Sequence, residues 1–184
     1  METKFSRSNA SCSPNEAFKY LNNVMRWAYQ LLSALEYMHR NHVIHRDVKP
    51  DNCFLDHRGN LLLGDMGFAR KMSHDSSQAS SVLGTYGYVA PEMRTERPKY
   101  DYKIDIFGVG CTLLELLLYR RIDFAFEILN NPTAIFQSMR NNFVRGNGSD
   151  RDSDNDCERN MQLLFVAEAM IRSMLAANPD DRPD

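Results

Sequence analysis

The sequence predicts a mainly helical α+β domain, on three observations. An apolar stripe at spacings of three and four runs from Phe18 to Met38. The stretch Asp105 to Leu118 is apolar on nearly every helical face. Between them, Cys53-Phe54-Leu55 and Leu61-Leu62-Leu63 flank the turn-forming run Asp56-His57-Arg58-Gly59-Asn60, the pattern of a short β-hairpin.

Residues 1–12 are polar and aperiodic, which predicts a flexible lead-in to a single unit spanning residues 13–184. Ser13-Pro14-Asn15-Glu16 has the form of a helix start, with Ser13 as N-cap, proline in the first turn and Glu16 closing a capping box. From there Phe18, Leu21, Met25, Ala28, Leu32 and Leu35, widened by Leu31 and Met38, predict one long amphipathic helix, interrupted or not, ending near Arg40-Asn41. Core packing is the commoner use of such a stripe, although a partner-binding helix would look the same. Val43-Ile44 is a short apolar entry to a polar loop, and the hairpin follows.

Residues 68–83 are rich in Ser and poor in apolar side chains, predicting a flexible segment of regulatory appearance. Asp105–Leu118 predicts a helix buried all round, since the run is too short for a membrane span and carries Asp105 and Glu115. Residues 122–145 suggest one or two helices, and 146–158, GNGSDRDSDNDCE, a solvated acidic loop. A calcium loop starting at Asp150 would need glycine at position 155 and glutamate at 161, where Asn155 and Met161 stand. A last helix is predicted over Met161–Ala177.

Composition narrows the function. The chain has 184 residues, 43% hydrophobic and 25% charged, with a formal net charge of -2. That is ordinary for one globular domain, and the balance gives no electrostatic reason to expect nucleic acid or an anionic membrane as partner. Cys12, Cys53, Cys111 and Cys157 form no CxxC pair, which disfavours a zinc site or a disulfide scaffold. With no apolar signal segment in METKFSRSNA, reduced thiols fit an intracellular protein, cytoplasmic or nuclear.

The chemistry concentrates in HRDVKPDN, His45 to Asn52, and in Asp65-Met66-Gly67. An acid, a lysine and an amide within six positions, with a second acid downstream, are what metal-assisted phosphoryl transfer needs. The acid orients a hydroxyl nucleophile, the lysine neutralises the moving phosphoryl, and the amide and second acid hold Mg²⁺. A chance polar loop is the bland alternative, but eight ordered positions are far more specific than a lone glycine motif.

These residues resemble the catalytic loop and metal-binding triplet of the protein kinase family. GTYGYVAPE, Gly84 to Glu92, resembles its substrate-docking loop, Asp105–Leu118 its central helix, and NPDDRPD its closing motif. The resemblance spans residues 15–183 and implies the kinase large lobe, with a small hairpin and no N-terminal β lobe. Lys49 and Thr85 together look like the serine/threonine branch, in which the threonine hydroxyl bridges the catalytic acid and the lysine. By that resemblance Asp47, Lys49 and Thr85 are catalytic, while Asn52 and Asp65 ligate Mg²⁺. Lys49, Asn52, Phe54 and Asp65 bind ATP, with Phe54 beneath the adenine. Asp105 would receive the backbone around His45 and Arg46, and Glu92 would pair with Arg182. Met66 stands where the family has phenylalanine, softening the packing around Asp65 and Gly67. Arg46 beside Asp47 implies switching by a phosphate on the activation segment, at Ser81 or its substitutes Ser80 and Ser77. The context LGDMGFAR is faintly similar to the never-in-mitosis group, without fixing the subfamily.

Nothing in the sequence resembles a glycine-rich phosphate loop, and no VAIK-type lysine precedes His45. The expectation is therefore a serine/threonine kinase domain truncated at both ends, using ATP and Mg²⁺ on a protein substrate but nearly inactive alone. The alternative is a kinase-like binding or scaffold module without turnover. In either case the apolar floor of the nucleotide cleft would be exposed and would call for a covering partner.

Overall fold

The computed structural model describes residues 14–72, 84–121, 131–144 and 154–184. The element order is α1 (Pro14–Arg40), β1 (Val43–Ile44), β2 (Cys53–Leu55), β3 (Leu61–Leu63), β4 (Arg70–Lys71), α2 (Lys103–Leu118), α3 (Pro132–Val144) and α4 (Asp154–Met174), with short 3₁₀ turns between them. The mainly helical expectation therefore holds, and so does the hairpin. β2 and β3 pair antiparallel with Cys53 opposite Leu63, Phe54 opposite Leu62 and Leu55 opposite Leu61. Strand alternation turns Cys53 and Leu61 into the core and leaves Phe54 and Leu62 about half exposed.

The middle of the molecule is α2. Every residue from Ile104 to Leu118 is buried, polar Asp105, Thr112 and Glu115 included, because α1, α3 and α4 pack around it. At Gly108 the helix passes close to the polar loop, where a Cβ would stand 2.9 Å from both the Cβ and the carbonyl oxygen of Val48. A side chain there would push the loop away.

Helix α1 runs uninterrupted for 27 residues. Phe18, Leu21, Ala28, Leu31, Leu35 and Met38 of the predicted stripe are buried, whereas Met25 and Leu32 sit at the margin, and Val24, one position before Met25 and outside the predicted stripe, is buried. Trp27, absent from the predicted stripe, is also buried and donates from Nε1 to the Gly59 carbonyl at 2.9 Å, which fastens the hairpin turn to α1. Gln30 fixes the register further: its Oε1 accepts from Leu61 N at 2.8 Å and its Nε2 donates to Asn60 Oδ1 at 3.1 Å.

Two expectations need correction. Residues 70–71, placed by sequence in a flexible segment, form β4, which pairs antiparallel with β1, Val43 opposite Lys71 and Ile44 opposite Arg70. Polar side chains on both faces hid a strand whose stability comes from ladder hydrogen bonds to buried Ile44. Helix α4 begins at Asp154, inside the predicted acidic loop, and ends at Met174 rather than Ala177. The predicted cap Ser13, the lead-in 1–12 and the serines Ser77, Ser80 and Ser81 lie outside the described residues. No helix among the described residues is long and apolar enough to cross a membrane.

Candidate active site

The polar loop is suspended between α1 and α2. Val43-Ile44 pins its start through pairing with β4, and the 3₁₀ turn Pro50–Asn52 ends it. Beneath it, the Asp105 carboxylate, 1% exposed, accepts from His45 N (Oδ2, 2.8 Å) and Arg46 N (Oδ1, 2.8 Å). Two adjacent amides can face one carboxylate because Arg46 adopts a left-handed conformation, φ +69°. The His45 ring is fully buried, donates from Nε2 to the Gly64 carbonyl at 3.0 Å and accepts at Nδ1 from Asp47 N at 3.3 Å. The residue preceding Asp65 is thus tied to the loop, and a second tie runs from Gly64 N to the Asn52 carbonyl at 2.9 Å.

Around Asp47 the side chains form a closed network. Lys49 Nζ donates to Asp47 Oδ2 at 2.7 Å and to Thr85 Oγ1 at 2.5 Å. Thr85 Oγ1 in turn donates to Asp47 Oδ1 at 2.7 Å, and Thr85 N reaches the same oxygen at 3.0 Å. Asn52 Nδ2 is shared between the Asp47 carbonyl at 2.8 Å and Asp47 Oδ2 at 3.0 Å. Gly84 delivers Thr85: its φ is +117°, and a Cβ there would lie 3.0 Å from the Arg46 carbonyl oxygen. Burial raises the Asp47 pKa, but the hydrogen bonds from Lys49 and Thr85, the Lys49 charge and the Asn52 amide outweigh it. The carboxyl is held below the usual carboxylate range and stays ionised.

Asp65 also has a left-handed backbone, φ +58°, and its exposed carboxylate accepts from Gly67 N at 3.1 Å. Both Asn52 amide protons are committed to Asp47, so the carboxamide oxygen is the atom left for a cation. One carboxylate and one carboxamide oxygen suit a hard divalent ion that takes its other ligands from water and phosphate. Among the described residues there is no cluster of three or more His, Cys, Asp or Glu able to hold a metal alone. Phe54, 52% exposed, and Leu62, 54% exposed, form an apolar face on the outer side of the hairpin.

Of the other residues singled out by sequence, Arg46 donates from Nε to the Phe68 carbonyl at 2.6 Å and from Nη1 to Tyr100 Oη at 3.3 Å. Met66 is half exposed. Glu92 and Arg182 meet as a bidentate pair at 2.6 and 2.8 Å across 90 positions of sequence. Sequence reading missed His39, whose Nε2 lies 2.8 Å from Asp105 Oδ2. It also missed Arg121, which pairs with Asp51 of the loop at 2.6 Å. Tyr88 is part of the core, and its hydroxyl donates to buried Glu115 at 2.7 Å. His39 lies six positions before His45, in the last turn of the predicted helix, and a search confined to apolar spacing passes over it.

The sequence matches the protein kinase domain over residues 7–184. It is 30% identical over 164 residues to the serine/threonine-protein kinase Nek4 of Mus musculus, an alignment covering 88% of this chain and 18% of that protein. It is 35% identical over 162 residues to the serine/threonine-protein kinase Nek6 of Oryza sativa subsp. japonica, covering 87% of this chain and 26% of that protein. Similarity to serine/threonine-protein kinase 36 of Pongo abelii reaches 45% over 95 residues, covering 52% of this chain and 7% of that protein. The chain therefore spans no more than 26% of the length of these curated relatives.

Proposed function

The chain belongs to the protein kinase family, and from that premise we propose that it is the large lobe of a serine/threonine protein kinase, moving the γ-phosphoryl of ATP to Ser or Thr hydroxyls of proteins. The observation that carries this reading is the network joining Asp47, Lys49, Asn52 and Thr85. Asp47, held ionised, orients the incoming hydroxyl and accepts its proton as the new O–P bond forms and the bond to the β-phosphate oxygen breaks. Lys49, positioned by Thr85, offsets charge on the transferring group. Asn52 and Asp65 would hold Mg²⁺, and Phe54 would lie beneath the adenine. When bound, Mg²⁺ neutralises the phosphate oxygens and aligns them for displacement. Free buried thiols at Cys53 and Cys111 support an intracellular setting, cytoplasmic or nuclear.

For the 184-residue chain alone we propose very slow transfer, because it holds no glycine-rich loop and no VAIK-type lysine to cradle the phosphates. One missing preorganised donor costs about 10²- to 10³-fold, and several are missing together. A second observation favours binding without turnover in this chain. Asp47 Oδ1 already accepts from Thr85 N and Oγ1, and Oδ2 from Lys49 and Asn52, so an entering hydroxyl must displace one of these donors. The exposed Phe54–Leu62 face then suits a partner that covers it, or the nucleotide base.

Incubation of the purified chain with ATP, Mg²⁺ and a generic protein substrate, with Asp47→Asn as control, tests the reading. Thermal stabilisation by Mg²⁺-ATP, lost in Asp65→Ala, is the expected result. Turnover abolished by Asp47→Asn would overturn the inactivity of the isolated chain. Absence of any nucleotide effect would overturn the site.

A further inference from the structure

Resting on the reading of Asp47 as the acid that receives the hydroxyl, we infer that the protein substrate is an acidic segment, its carboxylates lying on Arg94, Arg97 and Lys99 while Arg121 keeps Asp51 from drawing a cationic one. An accepting hydroxyl reaches Asp47 only past the residues that border it, so the chain on either side of that hydroxyl lies over their neighbours. Val89 and Met93 line the same small cavity as Asp47 and Thr85. The 3₁₀ turn Pro91–Arg94 carries the chain along this border. Arg94 is exposed and folds back, its Nε and Nη2 donating to the Val89 carbonyl at 2.9 and 2.5 Å, which seats a guanidinium on the segment that begins with Thr85. Pro98 and Tyr100 are buried, with the Tyr100 hydroxyl 3.3 Å from Arg46 Nη1. This anchors the stretch beside the polar loop and leaves Arg97 and Lys99 exposed. Among the described residues none of these three cations meets a carboxylate, and Glu96 is the one exposed acid between them.

The acids of the same neighbourhood are already matched. Asp51, four positions after Asp47 and with its side chain 34% exposed, is placed to attract a substrate lysine or arginine, but Arg121 takes it at 2.6 Å. The hydrogen bond to Asp51 raises the Arg121 pKa against a smaller effect of burial, and the charges of Asp51 and Glu115 add to the rise, so one guanidinium faces both acids. Glu115 itself is buried under the Tyr88 hydroxyl. Glu92 is held by Arg182, and Asp101 accepts from Lys103 N at 2.9 Å. A cationic segment would find these carboxylates engaged and three cations in its path, whereas an anionic one meets the cations without displacing anything. Exposed ion pairs are individually weak, each worth a factor of about 1.5 to 5 in affinity, so selection needs several together. The strip holds its three cations within Arg94–Lys99 on a chain of net charge -2, which suits a short acidic peptide better than the long phosphate backbone of a nucleic acid.

Fluorescence anisotropy on the 184-residue chain at low ionic strength tests this with three labelled peptides, in which one serine is flanked by glutamates, by glutamines or by arginines. The expected order is glutamate over glutamine over arginine, with the glutamate peptide about 10-fold tighter than the glutamine one and the difference collapsing in high salt. Arg97→Glu with Lys99→Glu should abolish the preference. Lys19→Glu with Arg159→Glu, the same change of charge at exposed positions of α1 and α4, should keep it. Arg121→Gln should tighten binding of the arginine peptide about 5-fold by freeing Asp51. Equal binding of the three peptides would overturn the inference. So would a preference that survives the Arg97/Lys99 reversal or is lost in the control pair, an arginine peptide indifferent to Arg121→Gln, or an oligouridylate of matching charge bound as tightly as the glutamate peptide. Thermal stabilisation by Mg²⁺-ATP, measured on the same samples, tells the two readings apart. Where it persists without peptide preference, only the substrate class fails; where it is absent as well, the reading of the site fails and takes the inference with it.

Discussion

Replacing Glu92 by glutamine isolates the longest-range ion pair in the described residues. The Arg182 side chain is wholly buried and Glu92 is 13% exposed, with the guanidinium held at 2.6 and 2.8 Å by the two carboxylate oxygens. Removing one partner of a buried pair typically costs about 3–5 kcal/mol, because the other charge is left uncompensated. Arg182 keeps other acceptors: the carbonyls of Ala176 at 2.8 Å, Lys103 at 3.1 Å and Ala177 at 3.3 Å, and the Phe107 ring at 5.0 Å. The substituted glutamine would also retain one oxygen acceptor. The loss should therefore fall near the lower end, about 3 kcal/mol, against a total stability of about 5–15 kcal/mol for a domain. Urea denaturation followed by far-ultraviolet circular dichroism should show the midpoint fall with an unchanged slope. The double variant Glu92→Gln with Arg182→Met should recover part of the loss, since it buries no lone charge. A drop under about 1 kcal/mol, the range of exposed pairs, would refute the reasoning. So would a double variant that loses the sum of the two single effects.

Three further outcomes are expected. The folded-state pKa of Asp47 lies below the ordinary 3.8, so its ionised contacts stabilise the fold fully above that value and lose their contribution as pH falls through the lower folded value. The stability gap between the wild type and Asp47→Asn, from urea titrations between about pH 6 and about pH 3, should thus stay level and then narrow below 3.8; a gap that widens toward acid would contradict the sign. Gly108→Ala should cost about 1–3 kcal/mol by overpacking against Val48, read in the same titration, with weaker Mg²⁺-ATP stabilisation as the loop is displaced. Burial, with Asp51 adding to it, pushes the Cys53 thiol up to about 12, and burial with Glu115 raises that of Cys111 well above its usual value. Peptide mapping after iodoacetamide treatment of the native chain should find both thiols unmodified, and modification without denaturant would show that the interior opens.

Legibility in the sequence followed the nature of each signal. Helix α2 was readable because a buried helix must be apolar all round, and its two acids were informative because burial makes an acid costly without partners. The hairpin was readable because Asp56–Asn60 carries its own turn chemistry: Asp56 Oδ1 accepts from Arg58 N and Asn60 N, both at 2.8 Å. By contrast, β4 consists of Arg70 and Lys71, whose side chains say nothing of the ladder partner Val43-Ile44. The one-residue shift of the α1 stripe has the same origin. Where adjacent Val24 and Met25 are both apolar, the neighbouring elements alone decide which is buried.

The site shows the same division more sharply. Asp47, Lys49 and Asn52 are ordered by a few consecutive positions, so the local chain brings them together once the loop adopts its turn. Thr85 and Asp105 lie 38 and 60 positions away from the residues they bind, and their hydrogen bonds record tertiary structure that spacing cannot carry. They entered the reading only through a resemblance to known kinases. His39 and Arg121 entered through neither route, because each becomes informative only beside its buried or loop-borne acid. The loop therefore depends at once on α1 through His39, on α2 through Asp105, on the region after α2 through Arg121 and on the Gly84–Thr85 turn. A substitution in any of these four places should reach Asp47 without touching it, and the polar loop should be sensitive to distant packing changes to which the hairpin, fastened separately to Trp27 and Gln30, is indifferent.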